Sequence, residues 1–304
     1  REKYFQFVLF YQWKELQKYC RNKGIRVFGD VSLYVNHDSA DVWAHPELFK
    51  LDQELNPVVV AGVPPDYFSE TGQRWGNPIF DWNFLRKNNF VWWIERMKHN
   101  LDLFDLVRID HFRGFLAAWE IPVNDSTAVN GQWQECPGVE FFSVLLNEFK
   151  SIPVVAEDLG VITQDVRDAM ARFGFPGMKL LIFAFDGDIL QNPYAPENHV
   201  KNCVLYTGTH DCNTMRGWFE EELSDESKVK LENILGKKVC ANTIAEEMVI
   251  LAMSSIADTV ILPMQDVLGL GSEARMNCPG IAENNWEWRL LPGQWSTDIV
   301  LADK

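Results

Sequence analysis

The stretch LFDLVRIDHFRGF, residues 103–115, decides the fold class of this chain. Its apolar part leads directly into the charged residues Arg108 and Asp110. Strands of a parallel sheet are covered on both faces and therefore read as continuous apolar runs. In a (β/α) barrel, the functional side chains stand where such runs end. The stretch therefore predicts a buried parallel strand whose C-terminal end opens into a site.

Six apolar runs of this kind alternate with helical patterns along the chain. They begin near residues 25, 106, 153, 177, 203 and 260. Strands that alternate with helices indicate a parallel sheet and an α/β fold. Three of the runs end in acidic residues, at Asp110, Glu157 and Asp211. Since the strand ends of a barrel meet at one mouth, the sequence predicts that these three carboxylates converge.

The spacing of Arg108 and Asp110 places both side chains on one face of their strand. A neighbouring guanidinium favours the charged form of a carboxylate, and a carboxylate held as an anion suits a nucleophile. Taken by itself, the motif is interpreted equally well as a structural ion pair, because such pairs also perturb carboxylates.

Glu157 follows an apolar strand, so burial is expected to raise its pKa towards that of a general acid. Two carboxyl groups across a mouth, one attacking and one protonating, are the groups that glycoside chemistry needs. His210, beside Asp211, can bind sugar hydroxyls. Taken alone, His210 is more simply interpreted as a buried, hydrogen-bonded histidine.

A long segment, residues 50–89, contains GVPPDYFSETGQRWGNPIFDW and predicts irregular structure, because its prolines and glycines interrupt helices and strands. Loops of this length in a compact domain are usually functional or disordered. The aromatic residues of the segment argue against disorder, and we interpret it as an ordered lid or binding loop. Core packing is the alternative for each aromatic residue singly, and it is preferred for Trp82. These residues are Tyr67, Phe68, Trp75, Phe80 and Trp82.

The composition argues against several classes of partner. A formal net charge of -15 disfavours nucleic acid and anionic membrane surfaces, which attract basic patches. No apolar run reaches the length of a spanning helix, and no signal peptide is visible. Twelve tryptophans and twenty phenylalanines are many for an acidic protein. Many of them must be core, but flat aromatic faces also suit sugar rings.

Cysteine and histidine spacing gives no sign of a metal site or another cofactor. The six cysteines are scattered without a CxxC pair, so free thiols in a reducing compartment are the simplest interpretation. The six histidines never show HxxxH or HExxH spacing, which disfavours a catalytic metal. The predicted compartment is the cytoplasm, or the plastid stroma if the source is a plant or an alga.

Several motifs together closely resemble those of the 4-α-glucanotransferases, the amylomaltases or disproportionating enzymes of glycoside hydrolase family 77. The motifs run in order along essentially the whole chain, and each is specific. They are HDSADVW (37–43), the loop 62–78, RIDHFRGF (108–115), AEDLG (156–160), GTHD (208–211) and GSEARMN (271–277).

The resemblance implies roles for several residues in and near these motifs. Asp110 would be the nucleophile, Glu157 the general acid/base and Asp211 the stabiliser of the transition state. The substrates would be α-1,4-glucans and maltooligosaccharides, transferred by a retaining double displacement. The residues implied to contact or support them are Arg108 and His210 beside the carboxylates, Asp30 and His37 at the donor site, Asp66, Tyr67, Phe68 and Trp75 in the lid, and Asn277 across the groove.

The sequence departs from the family pattern at three positions, where Asn36, Cys212 and Cys278 replace the residues that are usual there. The family also has two barrel strands before the helix that opens this chain. We therefore expect residues 1–304 to be one partial (β/α) barrel, strands 3 to 8 of a TIM barrel, N-terminally incomplete, with residues 50–89 inserted. An α-amylase-type hydrolase and an inactive glucan-binding fragment are the alternatives.

Overall fold

A computed structural model of the chain describes residues 1–65, 69–281 and 283–294. The chain divides into two compact units, Arg1–Pro176 and Gly177–Lys304. Both units combine helices with strands, which confirms the mixed α/β class. None of the helices in the described ranges has the length and apolar character needed to cross a membrane.

The described chain contains ten strands and ten α-helices. The strands are β1 (Phe28–Val31), β2 (Val59–Val63), β3 (Gln73–Pro78), β4 (Leu106–Ile109), β5 (Ala117–Pro122), β6 (Gln132–Glu135), β7 (Val154–Ala156), β8 (Gly177–Leu180), β9 (Cys203–Tyr206) and β10 (Thr259–Ile261). The helices are α1 (Glu2–Asn22), α2 (Ala40–Ala44), α3 (Trp82–Lys87), α4 (Val91–Leu103), α5 (Gly138–Phe149), α6 (Gln164–Phe173), α7 (Met215–Glu221), α8 (Asp225–Leu235), α9 (Ile244–Met253) and α10 (Met264–Val267).

The six predicted parallel strands are present. In the first unit they form the sheet β1-β4-β7, and in the second unit the sheet β10-β9-β8, with parallel pairing throughout. The partial barrel expected from the resemblance is not shown as such, because hydrogen bonding joins the six described strands into two three-stranded sheets and not into one. Continuous burial along β7 and β9 explains why these strands read as unbroken apolar runs.

A second sheet in the first unit was not expected from the sequence. It is antiparallel, with the order β3-β2-β5-β6, and two of its strands lie within residues 50–89. The prediction that prolines and glycines prevent regular structure in that segment is therefore wrong. β3 ends at Pro78, which is paired with Val60 at an irregularity in the register, and such irregularities accommodate a proline. Residues 115–137 carry the other two strands of this sheet, β5 and β6.

Aromatic side chains fill the core of the first unit. Phe112 and Phe115, which follow β4, pack against Phe141 and Phe142 of α5 with ring centroids 5.2–5.3 Å apart. All four are fully buried. Trp82 is also buried and stacks on Trp93, so the core interpretation preferred for it from the sequence is confirmed. The motif that supplies the charged residues of the site thus also supplies the packing that fixes its position.

In the second unit, the charged stretch 220–235 is divided between two helices. Helix α7 ends at Glu221, and α8 begins after Ser224, whose hydroxyl accepts the backbone N–H of Ser227 at 3.1 Å. An N-terminal cap of this kind is worth about 1 kcal/mol and favours a new helix at this residue.

Candidate active site

Arg108 joins two carboxylates at the end of the first parallel sheet. Its Nη1 donates to Oδ2 of Asp30, and its Nη2 donates to Oδ1 of Asp110, both at 2.5 Å. The strand register explains the arrangement, since Asp30 of β1 lies directly opposite Arg108 of β4. Asp110 follows β4 on the same face as Arg108, as the spacing predicted.

The guanidinium of Arg108 is an obligatory cation in this arrangement. Burial alone lowers its pKa, but the charges of Asp110, Asp30 and Glu157 outweigh that effect, and the net result is a raised pKa. The side chain of Arg108 is only 10 % exposed, whereas that of Asp110 is 42 % exposed. Asp110 therefore presents an accessible carboxylate whose inner oxygen is held by a buried cation.

Glu157 follows β7 and is buried. The backbone N–H of His111 donates to Oε2 at 2.8 Å, and that of Leu159 donates to Oε1 at 2.7 Å. Burial raises the pKa of Glu157 to about 7, and the charge of Asp110 acts in the same direction. The two backbone hydrogen bonds and Arg108 oppose the rise. A carboxyl group that titrates near neutral pH can both give and take a proton.

His111 adopts an unusual backbone conformation between these two carboxylates. Its φ is 50°, in the left-handed region that side chains other than glycine rarely occupy. Nε2 of its imidazole is buried and, among the described residues, has no hydrogen-bond partner. Burial, assisted by Arg113, lowers the pKa of His111 to about 4, so the ring is neutral at neutral pH. His111 lies beside both carboxylates, because it follows Asp110 in the chain and its backbone N–H donates to Glu157.

A pocket with a volume of about 340 Å³ lies beside Asp110. The indole of Trp75 contacts the His111 ring edge-on, with centroids 4.8 Å apart. Asn77 donates from Nδ2 to the carbonyl oxygen of Val35 at 3.1 Å and to Oδ1 of Asn36 at 3.2 Å. Polar and aromatic groups thus surround the accessible face of the carboxylate. The lining residues are Ser32, Leu33, Tyr34, Asn36, Trp75, Asn77, Asp110 and His111.

The remaining residues predicted for the first unit have different positions. Asp30 is the second partner of Arg108, a role that the sequence did not suggest. His37 lies near the carbonyl oxygen of Leu55, 2.8 Å from its Nε2, and is not among the residues that line the pocket. Asp66, Tyr67 and Phe68 lie outside the described residues.

Three predicted residues lie together in the second unit. Nδ2 of Asn277 donates to Oδ1 of Asp211 at 2.6 Å, and Nε2 of His210 is 3.4 Å from Oδ2. Arg275, whose part was not predicted from the sequence, donates from Nη2 to the backbone carbonyl of Asp211 at 3.0 Å. His210 is 36 % exposed at its side chain, so the buried-histidine interpretation does not describe it.

Tyr34, Asn77 and Arg275 are site residues that the sequence did not predict. Asn77 lies in β3 of the antiparallel sheet, which left no clear pattern in the sequence, and Tyr34 follows β1 and packs against that sheet. Arg275 could have been predicted from the sequence, since it lies two residues before Asn277 in the GSEARMN motif. Within the described ranges, no group of three or more His, Cys, Asp or Glu side chains is arranged to hold a metal ion.

The family model described as 4-alpha-glucanotransferase, that of glycoside hydrolase family 77, matches residues 1–294. The chain belongs to glycoside hydrolase family 77. A 4-alpha-glucanotransferase from a Synechocystis species is 51 % identical over 96 % of this chain and 58 % of its own length. One from Aquifex aeolicus is 49 % identical over 94 % of this chain and 58 % of its own length.

A solved structure of family 77 shows the same fold. The amylomaltase from Streptococcus agalactiae, in complex with acarbose, superposes with a TM-score of 0.93 at 38 % sequence identity. The match covers 97 % of this chain and 59 % of that protein. The chain therefore spans about three fifths of the length of these relatives.

Proposed function

We propose that the protein transfers α-1,4-glucan segments between maltooligosaccharides, starch or glycogen chains by a retaining double displacement. One observation carries the proposal. The pKa of Glu157 is raised to about 7 beside Asp110, whose Oδ1 accepts a hydrogen bond from Arg108. A carboxylate kept as an anion and a carboxyl group that holds its proton near neutrality are the two partners that retention requires.

In the first step, a carboxylate oxygen of Asp110 forms a bond to the anomeric carbon of the donor glucan. The glycosidic bond breaks, and the departing oxygen takes the proton of Glu157. In the second step, a hydroxyl of the acceptor glucan attacks the same carbon and gives its proton to Glu157. The bond to Asp110 breaks, and both carboxyl groups return to their starting states.

The other residues receive roles that agree with their contacts. Arg108 fixes the orientation of Asp110, while Asp30 provides the second negative charge that compensates for burial of the guanidinium. Asp211 is assigned the stabilisation of the transition state, and Asn277 holds its Oδ1. The assignment of Asp211 is supported by the GTHD motif that carries it.

Transfer rather than hydrolysis requires that an acceptor hydroxyl reach the intermediate before water does. We assign the exclusion of water to the lid within residues 50–89, from which Trp75 contacts His111 beside the pocket. His37, Asp66, Tyr67 and Phe68 keep their predicted parts in binding the glucan, and His210 keeps its part beside Asp211. The six parallel strands are proposed to belong to an eight-stranded (β/α) barrel, which the likeness to amylomaltase supports.

The test is incubation of the protein with maltotriose, followed by chain-length analysis and an assay of reducing ends. Transfer produces glucose and longer maltooligosaccharides with little net gain in reducing ends. A steady rise in reducing ends would instead show the α-amylase-type hydrolase, and no turnover with retained binding would show a glucan-binding protein. The Asp110→Asn variant should lose both activities, since an amide cannot form the covalent intermediate.

A further inference from the structure

A buried carboxylate in the second unit holds both ends of the segment that carries His210 and Asp211. Asp266 lies in α10 and is 2 % exposed. Its Oδ2 accepts the hydroxyl of Thr207 at 2.6 Å, and its Oδ1 accepts the backbone N–H of Met215 at 2.8 Å. Thr207 follows β9 directly, and Met215 is the first residue of α7. One side chain therefore fixes where this segment begins and where it ends.

The segment between these two residues is compact. A Cβ atom on Gly208 would lie 3.2 Å from the Cβ of Cys212, so the turn has no spare room. Further along, Asn213 donates from Nδ2 to Glu222 and to Ser272, both at 3.0 Å. The segment is thus held at its ends by Asp266 and along its length by neighbouring polar side chains.

Burial of the Asp266 carboxylate costs folding free energy, which indicates that the residue has a purpose other than packing. No ion pair within the described residues includes Asp266, so hydrogen bonds alone compensate its removal from water. A buried carboxylate without a cation costs several kcal/mol unless its oxygens are well bonded, on the order of the penalty for one desolvated ion. A fold that needed only packing at this position would be better served by an apolar side chain.

We propose that Asp266 is a positioning residue for the transfer reaction, which acts through Asp211. By fixing Thr207 and Met215, it holds the carboxylate of Asp211 in one orientation as charge develops on the sugar. The inference rests on the proposed function, in which Asp211 stabilises the transition state. Misplacement of such a group by about 1 Å can cost roughly 100-fold in rate.

The experiment compares four variants of the full chain for kcat, KM and thermal unfolding with a maltooligosaccharide donor. Asp266→Leu removes both hydrogen bonds, Asp266→Asn keeps an acceptor for Met215, and Thr207→Val removes one bond without changing shape. Ser227→Ala is the matched control, because it removes another buried hydroxyl of the same unit, bonded to Asp186 at 2.7 Å.

We expect kcat to fall roughly 100-fold in Asp266→Leu and roughly tenfold in Asp266→Asn and Thr207→Val. In all three variants, KM should change by less than about threefold. Ser227→Ala should lower the unfolding temperature with kcat unchanged. Partial rescue by asparagine separates positioning from general destabilisation. If the Asp266 and Thr207 variants lose stability but keep kcat, as the control does, the inference is overturned.

Asp211→Asn, assayed in parallel, separates this inference from the proposed function. If Asp211→Asn is inactive while Asp266→Leu keeps kcat, only the role of Asp266 is wrong. If Asp211→Asn itself keeps the wild-type kcat, the function assigned to Asp211 is wrong. The positioning role proposed for Asp266 is then wrong as well. Amide hydrogen exchange of residues 207–215 provides a readout without substrate: it should accelerate in Asp266→Leu and not in Ser227→Ala.

Discussion

The backbone N–H of His111 donates to Oε2 of Glu157 at 2.8 Å, and this contact joins the two acidic strand ends of the first unit. His111 is the residue after Asp110, so the peptide group that follows one carboxylate also orients the other. Since backbone hydrogen bonds stabilise the charged form while burial opposes it, the balance leaves the pKa of Glu157 at about 7.

The pH dependence of transfer should report this balance. Because Glu157 must carry a proton to release the first product, kcat/KM should fall as the pH rises through about 7. The measurement is the pH profile with maltotriose. A glycosyl fluoride donor, whose leaving group needs no proton, is the control and should lose this dependence of the first step. An unchanged alkaline limb with the fluoride would mean that another group is the acid.

Folding stability should depend on the same carboxyl group. The pKa of Glu157 is about 7 in the folded chain and ordinarily 4.5, so its stabilising contribution is complete below pH 4.5 and is lost as the pH rises through 7. Glu157→Gln removes the ionisation. The variant should match the wild type near pH 4 and exceed it at pH 8 by on the order of 3 kcal/mol. Denaturant unfolding at both pH values measures the free energy of unfolding of the variant and of the wild type. If the two proteins differ by the same amount at both pH values, burial of the ionised carboxylate is not the cause of the difference.

Trp75 should influence the choice between transfer and hydrolysis. Its indole lines the pocket and contacts His111, so Trp75→Ala opens the site to water. The expected result is a rise of roughly tenfold in the ratio of reducing-end release to transfer. Trp43→Ala is the control, because Trp43 is 86 % exposed and does not line the pocket. If the ratio of reducing-end release to transfer changes equally in both variants, Trp75 does not have the role assigned to it.

The mechanism also predicts the stereochemistry and the spacing of the carboxyl groups. Retaining pairs lie about 5–5.5 Å apart and inverting pairs about 6.5–9.5 Å apart, so Asp110 and Glu157 are expected in the shorter class with a bound glucan. Proton NMR of the transfer products should show that each newly formed glycosidic linkage has the α configuration. A newly formed β-linkage would rule out double displacement.

The sequence predicted the parallel strands well for a physical reason. Strands covered on both faces, such as β7 and β9, need apolar residues at every position, which is a strong signal. The antiparallel sheet gave no such signal. β6 reads QWQE and is exposed throughout, and β3 is exposed along its first half, so neither shows the alternation of a half-buried strand.

The same contrast applies to the site. Asp110 and Glu157 were predictable because each ends an apolar run, where an acid is conspicuous. The role of Asp30 as the second partner of Arg108 was not, because it depends on the register between β1 and β4. Asn77 lies in the antiparallel sheet, which the sequence did not predict, and Tyr34 packs against that sheet. Contacts set by pairing between distant segments leave little trace in a single sequence.

The proposed double displacement requires that Asp110 form a covalent bond to the transferred sugar. The direct test uses Glu157→Gln with an α-maltosyl fluoride donor, since the fluoride leaves without an acid and the variant lacks the base for the second step. Trypsin cleaves after Arg108 and Arg113, so the nucleophile lies in the five-residue peptide 109–113. Mass spectrometry should find the maltosyl adduct on this peptide, at Asp110. An adduct on any other peptide, or turnover with no adduct at all, would contradict the account.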